Sequence, residues 1–341
     1  MIEAEKIMGG MLGSEGLEYI EQPLPPFLRE PCLKLINGRS GIRILCELLR
    51  PGKVWMPSYL CHSMTDAVPK ELSIEFYPIN ETLRVANLEW VREVSVGDMV
   101  LFVDYFGFDL HREAMQAVKE RGSWILQDAA QALLSTFDRP FADFVLFSPR
   151  KIIGVPDGGL FQSQCSEDFS SVELGEVPAE FMLAAYRAFF ERTHFDRTGD
   201  GEWFSSYQTA EKLSPIGAFE MTSLAQGLLR NGFNYGQIAE KRRTNYQQLF
   251  DQLEEVSVLG ALPEGVVPLG FPITCVRRES LLPILYKNKI FCPVHWPLEG
   301  IVPADFEEAH RLSQKILSVL CDQRYDEEKM ERLISVLRGE M

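Results

Sequence analysis

An α/β fold, with a mainly parallel central sheet covered by helices, is what this sequence predicts, and three observations predict it. Short, almost wholly apolar runs alternate with stretches of helical periodicity from residue 37 onward. That alternation marks strands buried on both faces by crossover helices. The chain's 341 residues exceed what one core of roughly 250–300 residues fills, so a large unit with a smaller one behind it is expected. A composition 46% apolar and 24% charged is that of a globular chain able to bury such a core.

Residues 1–36, with Pro23-Leu24-Pro25-Pro26 and Pro31, read as an extended N-terminal arm. After Asn37-Gly38-Arg39-Ser40-Gly41, the residues Ile42, Leu45, Leu48 and Leu49 recur at helical spacing until Pro51-Gly52 stops the helix. Residues 54–56 read as a strand ended by Pro57, 59–68 as a helix closed by Pro69, and 74–77 and 100–105 as strands. A helix over 111–121 and buried-type strands over 124–127 and 144–147 continue the alternation. Beyond residue 178 the pattern turns helical, over 178–195, 220–230 and 235–255. A second, shorter alternation closes the chain: strands over 267–276 and 290–294, helices over 280–289, 305–320 and 326–337. The resulting division is an arm over 1–36, a large domain over 37–235 and a small C-terminal α/β domain over 236–341.

The formal net charge of −15 argues against a nucleic-acid or anionic-membrane binder, which needs a basic face. Seven cysteines, an odd number without a C-x-x-C pair, read as reduced thiols. The five histidines are scattered, so no metal site is expected. No apolar run reaches the ~18 residues of a membrane span. The start, Met1-Ile2-Glu3-Ala4-Glu5-Lys6, is acidic where a signal peptide is basic. A cytoplasmic location is the expectation.

In parallel α/β sheets, ligands sit at the carboxyl ends of the strands, and three loops in this sequence suit that edge. Asn37-Gly38-Arg39-Ser40-Gly41 opens a helix, where free amides and the positive dipole end attract a phosphate; alone it is also a common helix start. Gln127-Asp128-Ala129-Ala130-Gln131 follows a strand and sets a carboxylate beside two alanines that admit something flat; alone Asp128 reads as a turn cap. Ser148-Pro149-Arg150-Lys151 follows the next strand, with Asp157-Gly158-Gly159 after it. A lysine there can be desolvated so that its amine attacks a carbonyl, although most single lysines are solvated. Together, in order, the loops supply a phosphate cradle, a carboxylate, a hydroxyl and an amine. One cofactor asks for all four, pyridoxal 5′-phosphate (PLP).

At these residues the sequence resembles the DegT/DnrJ/EryC1/StrS sugar aminotransferases, which are fold type I PLP enzymes. The resemblance rests on Gly38-Arg39-Ser40-Gly41, Pro57-Ser58-Tyr59, Asp104-Tyr105-Phe106-Gly107, Asp128-Ala129-Ala130-Gln131-Ala132 and Ser148-Pro149-Arg150-Lys151 with Asp157-Gly158-Gly159. It implies that Lys151 is the covalent anchor and the general acid/base, and that Asp128 pairs with the ring nitrogen. Gln131 lies near the ring oxygen, while Ser148 and the backbone around Arg39 and Ser40 hold the phosphate. It further implies a homodimer that takes an amino group from glutamate to a keto group of a nucleotide-linked sugar.

Two departures stand out. Cys61 occupies the position where the family carries an aromatic residue over the ring, leaving Tyr59, Cys61 or His62 to cover it. Ala218-Phe219-Glu220 stands where an Asn-Tyr-Arg run is usual. These departures keep open a non-catalytic relative; a PLP-dependent dehydratase or lyase is a separate alternative, against which Lys151 speaks because related deoxygenases carry histidine there. The triplet Lys241-Arg242-Arg243 suits a nucleotide diphosphate or a solvated face, and His295-Trp296 suits a site mouth or strand-end packing. Gly199-Asp200-Gly201-Glu202 reads as a mobile loop over the site.

Overall fold

The computed structural model describes residues 7–14, 19–166 and 169–339. The acidic start at residues 1–6 lies outside them. In chain order, β1 (Met8–Gly9) and β2 (Cys32–Leu35) come from the expected arm, and α1 (Gly38–Leu49) follows. Then come β3 (Lys53–Pro57), the short α2 (His62–Thr65), β4 (Ser73–Tyr77), β5 (Met99–Val103), α3 (Arg112–Lys119), β6 (Trp124–Asp128), β7 (Phe144–Phe147) and β8 (Gly159–Ser163). Helices α4 (Ala179–Thr198), α5 (Phe204–Leu213), α6 (Ser223–Asn231) and α7 (Tyr235–Leu253) fill the middle. The C-terminal part holds β9 (Phe271–Thr274), α8 (Arg278–Lys287), β10 (Ile290–Phe291), α9 (Glu307–Lys315), β11 (Ile316–Val319) and α10 (Glu327–Arg338).

The central sheet has seven strands in the order β2-β8-β7-β6-β5-β3-β4. Strands β3 to β7 run parallel, whereas β8 is antiparallel to both β7 and β2. Every residue of β5 and β7 is buried, as expected of strands covered on both faces. Two-stranded sheets pair β9 with β11 antiparallel and β1 with β10 parallel. No helix among the described residues is long and apolar enough to cross a membrane. All seven cysteines are free.

The structure corrects several expectations. The helix expected over 59–68 shrinks to α2, because the chain after β3 bends at Tyr59, buries Tyr59 and Leu60 and is still extended at Cys61. The helix expected over 305–320 ends at Lys315, and the apolar run after it becomes β11, which Phe271–Thr274 pairs. The arm is not merely draped over the domain: β2 is an edge strand of the main sheet. After Gly199–Glu202 a ten-residue helix, α5, packs along α4 in a stretch for which the sequence suggested no element.

Candidate active site

The carboxyl ends of β5, β6 and β7 and the N-terminus of α1 lie at one edge of the central sheet, the edge where α/β folds form their ligand cleft. Asn37 caps α1: its side-chain oxygen accepts from the Ser40 amide at 3.0 Å, and its Nδ2 donates to Ser214 Oγ at 3.0 Å and the Pro215 carbonyl at 2.7 Å. Such a cap contributes about 1 kcal/mol, and here it also ties the end of α5 to the helix start. The first-turn amides of Gly38 and Arg39 have no intrahelical acceptor. Gly159 permits the close approach of β8, since a Cβ there would lie 2.3 Å from the Asn37 carbonyl. Ser40 is wholly buried, and its hydroxyl donates to Asn37 Oδ1 and accepts the Gly217 amide. What this segment offers a ligand is therefore backbone, not the Ser40 hydroxyl.

Asp128 ends β6, 6% exposed, with Oδ1 accepting the Ala130 amide at 2.8 Å. Its other oxygen takes no donor among the described residues. Burial pushes this carboxyl up, and the nearby Lys151 ammonium and the Ala130 amide pull it back. Gln131, 1% exposed, accepts the Phe106 amide at 2.7 Å through Oε1, while its Nε2 donates to no described residue. That bond holds Phe106 at φ 53°, a left-handed backbone with strain of the kind that clusters at functional sites.

Beyond β7 the chain makes a 3-10 turn over Pro149–Lys151. The Ser148 side chain, 9% exposed, and the Lys151 amine have no partner among the described residues. Lys151 is exposed, so the desolvation expected of a strand-end lysine is not supplied by this chain's own residues. The turn itself is held from behind. Arg242 Nη2 and Gln323 Nε2 both donate to the Ile152 carbonyl, at 3.1 and 2.9 Å. Arg242 is 1% exposed and also binds the carbonyls of Pro268 and Leu269. Arg243 donates to the Pro263 and Val266 carbonyls. The basic triplet is thus structural at two of its three positions, and does not present a charged face to a diphosphate.

His295 reaches the cleft from the loop after β10. Its Nδ1 lies 2.7 Å from Ser318 Oγ and its ring meets Phe106 edge-on at 5.9 Å. Burial and the Lys151 ammonium hold its imidazole down to about 3, so it is neutral. Tyr59 is wholly buried; its hydroxyl donates to the His295 carbonyl, and its ring packs on Tyr105 and Trp296. That leaves Tyr59 unable to swing over a ligand. His62 is exposed, and Cys61, half-buried at the end of β3's extension, accepts a hydrogen bond from Ser63 at 3.2 Å.

Of the residues singled out from sequence, Lys151 and Asp128 feel each other's charge, Gln131 follows Asp128 by one turn, and Ser148 begins the lysine's own turn. Sequence reasoning did not find the Arg150–Glu211 ion pair at 2.6 Å. The two lie sixty-one positions apart, and α5, which carries Glu211, was not foreseen.

Comparisons with known proteins bear on the fold. No family model matches the chain, and no curated protein matches it. Solved structures do. A DegT DnrJ EryC1 StrS aminotransferase from Brucella abortus is 16% identical, with a TM-score of 0.62 over 94% of this chain and 91% of that one. Spr1654 from Streptococcus pneumoniae, solved in a PLP form, is 14% identical, with a TM-score of 0.69 over 99% and 93%. PseC from Helicobacter pylori, an aminotransferase involved in the biosynthesis of pseudoaminic acid, is 15% identical, with a TM-score of 0.63 over 90% and 86%. At these identities the likeness speaks for the backbone: this chain has the fold of the DegT DnrJ EryC1 StrS aminotransferases.

Proposed function

We propose that this chain is a PLP-dependent aminotransferase of the DegT/DnrJ/EryC1/StrS family. In this reading it works in the cytoplasm as a homodimer and moves an amino group from glutamate to a keto group of a nucleotide-linked sugar. The observation that carries the reading is a set of polar groups without partners facing one cleft: the Lys151 amine, the second oxygen of Asp128, the Gln131 amide nitrogen and the Ser148 hydroxyl. Asp128, Gln131 and Ser148 are buried residues, and buried polar groups are normally satisfied, so a site that keeps all three open beside an exposed amine is built for a ligand with matching donors and acceptors. The cofactor matches them one for one.

Gly38 and Arg39 amides with the Ser148 hydroxyl would hold the phosphate, where the helix dipole adds its attraction. Asp128 would face the ring nitrogen, and Gln131 Nε2 would donate to the ring oxygen. Lys151 would be the covalent anchor. When bound, the group supplies an electron-withdrawing ring that stabilises negative charge at a substrate carbon. The chain's own residues do the rest. Burial raises the Asp128 carboxyl, and Lys151 and the Ala130 amide pull it only partly back; in its charged form it would keep the facing ring nitrogen protonated. Lys151, exposed to the cleft, moves the proton at the donor's α-carbon. Neutral His295 borders the same space without adding a second positive charge beside the amine.

Purified protein should be yellow, bleach with borohydride and carry the added mass on Lys151. Glutamate should release 2-oxoglutarate in a single turnover, and Lys151→Ala should abolish that release. Colour without release would favour the lyase or the non-catalytic reading; release by Lys151→Ala would overturn the assignment.

A further inference from the structure

The turn that carries Lys151 also carries Arg150, whose Nη1 donates to Glu211 Oε1 at 2.6 Å. Glu211 comes from α5, the helix tied to the start of α1 through Asn37. The pair is half open, with 27% of the arginine side chain and 37% of the glutamate exposed. The arginine fork is not fully used, because its Nε is buried without a partner. Arg39, at the second position of α1, makes no hydrogen bond or ion pair among the described residues, yet its charge reaches Glu211. One guanidinium, next to the amine in sequence, therefore holds the carboxylate directly, and a second, at the start of the helix that Asn37 ties to α5, lies within reach of its charge.

Planar guanidinium forks bind carboxylates bidentately and with direction. Glu211 already shows what they accept, since it is a carboxylate seated on Arg150. An enzyme that alternates between an amino-acid donor and an acceptor without that carboxylate faces a problem. When the acid leaves, its guanidinium partner is stranded, and an unpaired, partly buried charge is costly. A carboxylate on a neighbouring helix, able to pair with the arginine in the interval, removes that cost.

We propose that Arg39 and Arg150 form a carboxylate-binding subsite for an α-amino or α-keto acid, and that Glu211 occupies it until the substrate's carboxylate displaces it. The proposal rests on the aminotransferase reading for its choice of substrate, and not for its geometry. The test is calorimetric titration of the full chain with 2-oxoglutarate, which needs no turnover. Arg150→Met and Arg39→Met should each weaken binding, the former by about thirtyfold, as expected for a lost charge-assisted fork. Glu211→Gln should tighten it by about tenfold, because the internal competitor loses its charge. Arg150→Lys, which keeps charge and volume, should recover only part of the affinity.

Unchanged affinity in Arg150→Met and Glu211→Gln would overturn the subsite. So would an Arg150→Met protein that loses PLP absorbance but binds 2-oxoglutarate normally, since the guanidinium would then serve the cofactor's phosphate. If 2-oxoglutarate binds with this pattern while glutamate yields no amino transfer, the subsite stands and the aminotransferase reading fails. If glutamate reacts with an unaltered KM in both variants, the reading stands and the subsite fails.

Discussion

Two aspartates end neighbouring strands of the same sheet and meet opposite fates. Asp104, just past β5, donates its backbone amide to the Asp128 carbonyl of β6 at 3.0 Å, so the two residues are next-door neighbours. The Asp104 carboxylate is closed on both oxygens, taking Gln127 Nε2 at 2.7 Å and Arg139 at 3.1 Å. Burial still pushes it up to about 6 against the pull of Arg139. Asp128 is nearly as deep, yet one of its oxygens has no donor among the described residues. The comparison teaches that burial and strand position do not separate a structural carboxylate from a working one. What separates them is whether the fold has finished pairing it.

The difference is open to direct attack. The largest effect should come from Lys151→Ala, which removes the amine facing the open carboxylate and should bring glutamate turnover to background by single-turnover absorbance. Next, Asp128→Asn should cut the rate by about a thousandfold, as lost preorganised charge does, with urea stability within about 1 kcal/mol of the parent. Asp104→Asn should do the reverse to stability, costing about 3–5 kcal/mol in urea unfolding because Arg139 is left unpaired. Equal stability losses in the two variants would erase the distinction.

A smaller effect concerns His111, packed against Phe102 and Tyr105 in the wall behind Asp104, at 6.0 and 5.6 Å. Burial holds its imidazole down to about 3. The unfolded chain binds a proton near pH 6.5 that the folded chain refuses, so this stability is present above that pH and lost as pH falls. Between pH 7 and pH 5 His111 should cost about 2 kcal/mol, and His111→Phe should flatten that part of the urea-derived profile. Smallest of all, Asn37→Ala should lower stability by about 1 kcal/mol through the lost cap, read as a small drop in Tm.

The buried parallel strands were legible because each is a short apolar run bounded by a breaker, as with Val54 to Pro57 or Phe144 to Phe147. The edge strand β2 and its neighbour β8 were not. They are short, interrupted by polar residues such as Lys34 and Gln162, and their pairing spans more than a hundred residues. In the site, Lys151, Asp128, Gln131 and Ser148 were legible because each sits in a local motif. The openness of Asp128 against the closure of Asp104 was invisible, since Arg139 lies thirty-five positions from Asp104. Likewise the buried roles of Arg242 and Ser40 depend on carbonyls and amides contributed by remote loops.

The pairing of β1 with β10 has a consequence for how the molecule is made. Met8 and Gly9 align with Ile290 and Phe291, and the Gly9 amide donates to the Tyr325 hydroxyl at 2.7 Å. Between them and the rest of the arm, the Gly13 carbonyl lies so close to Gly154 that a Cβ there would meet it at 1.8 Å. The Met8–Gly9 segment therefore waits for a strand and a tyrosine far downstream before it can dock, and the chain just after it docks beside the lysine-bearing turn. A nascent chain that has not yet reached Tyr325 lacks that seat, so residues 8 and 9 stay unclaimed while everything between is made and folds.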